Sequence, residues 1–219
     1  MIRVLLIFSK TDKARFIGHL DLLRVFRRAI NRAKLPAAYS GGFNPHQKLR
    51  FAVPLALGMA GFNEAAELEL DEPVTTDALA IKDTLNTALP KGVMVHKARF
   101  MDKDEKSISI LVTAACYEMH TAPEGVLPER AREIGARKSV IVPKKTKRGI
   151  YDVDIRPDIL SLEASGDILR AVISAGSRRG LKPDLLAGAM GVSFNRQTRL
   201  NVYKDINGEL LPLFDKGVK

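Results

Sequence analysis

Apolar positions in the first hundred residues change period several times, and each change marks an element. Residues 2–8, IRVLLIF, form a short, nearly continuous apolar run of strand length. Residues 19–34, HLDLLRVFRRAINRAK, place Leu23, Phe26, Ile30 and Ala33 at spacings of three and four, and Pro36 stops the run. That spacing predicts an amphipathic helix. AAYS (37–40) and KLRFAVPL (48–55) predict one interrupted strand or two short ones. Ala66, Leu68 and Leu70 then alternate with Glu67, Glu69 and Asp71, the pattern of a half-buried edge or hairpin strand. Thr75 or Thr76 stands where it can cap a second helix, DALAIKDTLNTAL (77–89), which Pro90 and Gly92 close before the strand VMVHKARF (93–100). The order β-α-β-β-α-β is the ferredoxin-like one, with two helices on one face of a four-stranded antiparallel sheet.

The polar stretch MDKDEKS (101–107) marks a boundary, after which a similar order recurs. ISILVTAACYEM (108–119) reads as a strand, LPERAREIGA (127–136) as a helix, and KSVIVP (138–143) and IYDVDIR (150–156) as strands. ILRAVIS (168–174), the short helix PDLLAGAM (183–190) and RQTRLNVYK (196–204) follow, ahead of a tail that reads as a short ordered extension and a free end. The two halves share no residue-level identity, so the repeat is one of topology. The expected fold is α+β: two tandem ferredoxin-like (βαββαβ) domains with antiparallel sheets, residues 1–101 and 107–219, the second with an added hairpin and a short tail.

Charge changes the picture once it is located. Of the net +10, residues 1–50 supply +9, with eleven Lys+Arg against only Asp12 and Asp21. A concentrated excess of this kind is an electrostatic footprint for phosphates. Arg24, Arg27, Arg28 and Arg32 lie off the apolar stripe of the first helix, and Arg24, Arg27 and Arg28 share a face. The basic loop PKKTKRG (143–149) reads as a solvated hairpin tip that could extend the same surface.

Between the helix and the next strand lies YSGGFNPHQKLR (39–50). Gly41 and Gly42 permit close backbone approach to a ligand, and Asn44-Pro45 forces an extended step and a turn. Tyr39, His46 and Lys48 are candidate base, acid and charge stabiliser for RNA cleavage through the 2′-hydroxyl, and His19 at the helix start is a further candidate. Arg24, Arg27, Arg28, Arg32, Lys48 and Arg50 are candidate phosphate contacts, with Tyr39 or Phe43 available to stack on a base. His96 and His120 read as structural. CxxC, HExxH, P-loop and G-x-S-x-G patterns are all missing, so neither a metal nor a nucleotide cofactor is expected. A single cysteine, Cys116, fits a reducing compartment and reads as a core residue. With no apolar run near membrane-span length and no signal-peptide core, the expected location is the cytoplasm, without membrane association.

HLDLLRVFRRA (19–29), LPAAYSGGFNPH (35–46) and PLALG (54–58) resemble a bacterial radical-SAM-associated family of unknown function, whose members are separate proteins or fused behind a radical-SAM enzyme. The resemblance covers about a quarter of the chain. Gly18 stands where that family often has Ser, and Gln47 where it often has Pro, which weakens a helix cap and loosens the loop respectively. The resemblance implies a role beside radical-SAM chemistry, plausibly on RNA, and carries over no catalytic residues. One cysteine cannot supply the three that hold a radical-SAM cluster, so that chemistry belongs to a partner. The expectation is a cytoplasmic accessory protein that binds RNA or presents a substrate, partnered by RNA and a radical-SAM protein. The alternatives are a metal-independent endoribonuclease and a protein-interaction subunit docking on that partner. Oligomeric state is not fixed by the sequence.

Overall fold

The computed structural model describes residues 1–122, 126–146 and 149–215. Strands β1 (Ile2–Lys10), β2 (Leu49–Phe51), β3 (Ala60–Leu70) and β4 (Val93–Phe100) alternate with helices α1 (His19–Arg32) and α2 (Ala78–Ala88) in the first half. The second half contains α3 (Ile108–Leu111), β5 (Val112–Thr121), α4 (Leu127–Ala136), β6 (Ile141–Thr146), β7 (Gly149–Asp154), β8 (Ile159–Ser165), β9 (Ile168–Ser174), α5 (Pro183–Met190), β10 (Phe194–Ile206) and β11 (Glu209–Pro212). The fold is mixed α+β, built on one large, mostly antiparallel sheet of nine strands. Its order is β4-β1-β3-β10-β5-β9-β8, with β2 also on β3 and β11 also on β10, while β6 and β7 form a separate hairpin. Among the described residues, no helix is long and apolar enough to cross a membrane.

The halves meet where β3 and β10 run parallel, Ala60 opposite Thr198 and Gly61 opposite Arg199. Val4, Leu6 and Phe8 on one face of β1 pack with Ala66, Leu68 and Leu70 of β3 under α1 and α2. Leu5, Ile7 and Ala65, on the opposite face, join a second core that continues through Leu55 and Met59 into β5, β9, α4 and α5. The period of two thus sends alternate residues of one strand into two different cores.

Several sequence expectations need correction. β3 is an interior strand, paired by β1 on one side and by β2 and β10 on the other, so its carboxylates are not on an open edge. Glu67 is buried, where it accepts hydrogen bonds from Ser107 Oγ at 2.8 Å and from Ile108 N at 3.0 Å. Those contacts hold residues 108–111 in a single helical turn, and the expected strand starts only at Val112. The stripe of α1 is Leu22, Phe26, Ala29 and Ile30, with Leu23 at its margin. Asp77, rather than a threonine, caps α2, accepting from Ala80 N at 2.7 Å. Strand β8 is an addition to the expected elements: Leu160, Leu162 and Ala164 alternate with Ser161, Glu163 and Ser165, and it pairs with β9 at the end of the sheet.

The stretch expected to separate two domains is pinned down. Arg3 donates to the carbonyls of Asp102, Lys103 and Glu105, and Arg99 holds both carboxylate oxygens of Glu105 at 2.8 and 2.6 Å. Lys147 and Arg148 of the basic loop, and the last four residues of the tail, lie outside the described residues.

Candidate nucleic-acid interface

The outer face of α1 carries Arg24, Arg28 and Arg32, all exposed and four residues apart, which places them in one row along the helix. Arg27 falls beside this row at the edge of the core, with its Nε buried and without a hydrogen-bond partner. Asp21 pairs with Arg24 at 2.7 Å, both side chains largely exposed, so little of the cationic character of the row is cancelled. Gly18 occupies the N-cap and provides no side-chain hydrogen bond.

The loop after α1 is tied down at its base. Ser40 N donates to His46 O at 2.8 Å, Ser40 Oγ lies 2.9 Å from His46 Nδ1, and Tyr39 bridges to Gln47. Gln47 is buried and donates from Nε2 to Asn31 Oδ1 at 2.6 Å, fastening the loop to the last turn of α1. Gly42 takes a positive φ of 100° at the tip, where the ring of Phe43 is fully exposed. His19 begins the same helix and packs edge-on against Phe51 at 5.7 Å. His46 instead neighbours Gln47, which is fastened to Asn31 at the other end of that helix.

Lys48 and Arg50 are not brought together with the α1 arginines. Leu49 and Phe51 point from β2 into the core beneath α1, so the alternating Lys48 and Arg50 project from the opposite face of the sheet. There both bind Glu69, at 3.1 and 2.8 Å, and Arg50 also reaches Ser107. His96 is exposed on β4, and His120 lies 3.3 Å from Glu118. Cys116 is half-buried, and burial raises its thiol pKa.

A site that the sequence reading missed lies at the junction of the halves. A cleft of about 750 Å³ is bounded by Arg15 and Phe16, the 53–59 loop, the segments 174–176 and 180–184, and the start of β10. Its floor is a buried charge network. Arg199, 2% exposed, grips the Glu64 carboxylate through Nε at 2.9 Å and through Nη2, and donates to Val53 O at 2.9 Å and Pro54 O at 3.2 Å. Burial opposes the charge on Arg199, but Glu64 and the Tyr117 hydroxyl outweigh it, and the pKa is raised. Lys10, also buried, donates from Nζ to the carbonyls of Arg15 and Ile17, each at 3.1 Å. Burial lowers its pKa despite the nearby Glu64. The two buried cations thus fix the backbone of both first-half walls, and Gly58 N adds a 2.9 Å bond to Arg15 O.

Above this floor, the cleft lining includes Arg15, Lys182 and Arg196 against one carboxylate, Asp184, which accepts from Gln197 at 3.2 Å. The Arg15 guanidinium lies 4.7 Å from the centre of the Phe16 ring, and Phe16 and Leu57 are 59% and 69% exposed. The nearest sequence signals were the PLALG motif and the glycines of ALGMAG, neither of which points to partners in the other half. Among the described residues, no group of three or more His, Cys, Asp or Glu side chains is arranged to hold a metal ion.

No curated protein matches the chain. Residues 3–183 match the model of a family described as an uncharacterized protein conserved in bacteria (DUF2344), and by that match the chain belongs to this bacterial family.

Proposed function

We propose that this is a cytoplasmic RNA-binding protein, an accessory that holds or presents RNA beside a radical-SAM enzyme. The observation that carries the reading is the exposed row Arg24, Arg28 and Arg32 along α1, the helix that follows the cleft residues Arg15 and Phe16 and to whose last turn Gln47 fastens the Phe43 loop. Such a row meets successive backbone phosphates and is indifferent to base identity. The radical-SAM partner rests on the resemblance of residues 19–29, 35–46 and 54–58, and the single cysteine leaves the cluster chemistry to that partner. The strand orders β4-β1-β3-β2 and β10-β5-β9-β8 support reading residues 1–101 and 107–219 as two ferredoxin-like units, the β6–β7 hairpin being the addition to the second.

Fluorescence anisotropy with a single-stranded RNA across a salt series tests the RNA reading. The triple variant Arg24→Ala, Arg28→Ala, Arg32→Ala is expected to bind at least about tenfold more weakly near physiological salt, and its log Kd against log salt slope should fall by about 2, at ~0.7 per lost contact on a single strand. Lys48→Ala and Arg50→Ala, whose charges are engaged by Glu69, should change the slope far less. Wild-type protein that fails to bind at low salt, or a triple variant that binds like wild type, overturns the proposal.

A further inference from the structure

We propose that the junction cleft seats one nucleotide of a bound single-stranded RNA, its base against Phe16 and Leu57 and its phosphates between Arg15, Lys182 and Arg196. This rests on the RNA reading above and gives it a defined pocket. Three observations converge on that occupant.

The volume, about 750 Å³, falls in the range of sites for small organic ligands. The charge is cationic on balance: Arg15, Lys182 and Arg196 reach the lining against the single carboxylate of Asp184. The rim offers an aromatic face at the right place. Phe16 is held outward by a backbone that Lys10 and Gly58 fix on both sides, and the Arg15 guanidinium lies over its ring. Planar guanidinium and aromatic groups set together make the surface on which unstacked bases settle without regard to sequence. Gly58 contributes by omission: with φ at +82°, it leaves open a flank of Phe16 where a Cβ would touch the ring at 3.8 Å.

Continuity with the first surface supplies the strand. α1 begins three residues after Phe16, so the cleft wall and the arginine row belong to one continuous stretch of chain, Arg15 to Arg32. An isolated metabolite would have no use for that row.

A ten-nucleotide RNA carrying 2-aminopurine at one position at a time reads the site directly with the full-length protein. Wild type should show a several-fold fluorescence change confined to one or two positions. Phe16→Ala should abolish that change and weaken binding about 5- to 100-fold, the usual effect of removing one base-stacking aromatic. Lys182→Ala with Arg196→Ala should lower the salt slope by about 1.4. Both are exposed, and far-UV circular dichroism checks that folding is retained. Leu57→Ser provides a second rim variant should Phe16→Ala fail to fold.

RNA binding with no position-dependent signal, and with cleft variants that match wild type, overturns the cleft assignment and leaves the RNA reading intact. No RNA binding by wild type overturns the RNA reading itself. Uridine monophosphate that binds wild type as tightly as the decamer overturns the strand as occupant, whereas competition only at far higher concentration supports it.

Discussion

Removing either member of the Arg199–Glu64 pair strands the other charge, buried beneath the cleft. Arg199→Met alone should cost about 3–5 kcal/mol, and the double variant Arg199→Met, Glu64→Leu should recover much of that loss, because a buried pair is costly chiefly when broken. Urea unfolding followed by far-UV circular dichroism measures both; a single variant as stable as wild type would contradict the network described. Gly61→Ala probes the same spot by sterics, since a Cβ there would lie 2.5 Å from Glu64 Oε1 and 2.7 Å from its Cγ. The side chain must swing off Arg199 to make room, and a loss of about 1–3 kcal/mol is expected in the same assay. None of this was legible in the sequence. Glu64 and Arg199 are 135 residues apart, and nothing local distinguishes a buried arginine in RQTRL from a solvated one. The separation of Lys48 and Arg50 from the α1 arginines was hidden for a different reason: their charge was plain, but the strand period turns them from α1 toward Glu69.

At the scale of elements, the sequence was informative wherever one apolar stripe met clear stop signals. α4 and α5 fall at the expected residues, and α1 ends two residues early with Leu22 and Ala29 in its stripe in place of Leu23 and Ala33. Reading was poorest where tertiary contacts override the local pattern, as at 108–111, where Glu67 draws the backbone into a turn. The helix caps give a direct test: Asp77→Ala should destabilise by about 1 kcal/mol, whereas Thr75→Ala and Thr76→Ala should have little effect. The pinned 101–107 segment responds to pH. The paired hydrogen bonds from Arg99 hold the Glu105 carboxyl below its ordinary 4.5 despite the opposing effect of burial. A lowered carboxylate pKa contributes stability that is fully present above 4.5 and lost as pH falls through the folded-state value. The stability gap between wild type and Glu105→Gln should therefore be widest near neutral pH and close on acidification. A gap that does not change from neutral pH to well below 4.5 would count against the clamp.

At the scale of the molecule, the second core takes in residues of both halves, from Leu5 and Ile7 to Leu186 and Met190. Shared burial of this kind makes the halves unfold together, so tyrosine fluorescence and circular dichroism should trace a single coincident urea transition. Two resolved transitions would show that the halves are independent. The mixed α+β character was readable in advance, because it depends on local periods. The cleft was not, because it exists only once the halves are set side by side.

The parallel meeting of β3 and β10 also bears on how this protein avoids its own copies. β3 is eleven residues long, yet β2 covers only the stretch opposite Ala66–Leu68 on that side. Ala37, Ala38 and Ala52 extend that cover to Leu70, Glu69 and Ala65, so the first half alone would leave the backbone at the start of β3 open to a neighbouring chain, the usual route to edge-to-edge aggregation. β10 closes off the start of β3, at Ala60 and Gly61, and its own flank is closed in return. Each half is thus the other's guard against misassociation during folding, and separating them would sacrifice solubility together with the cleft.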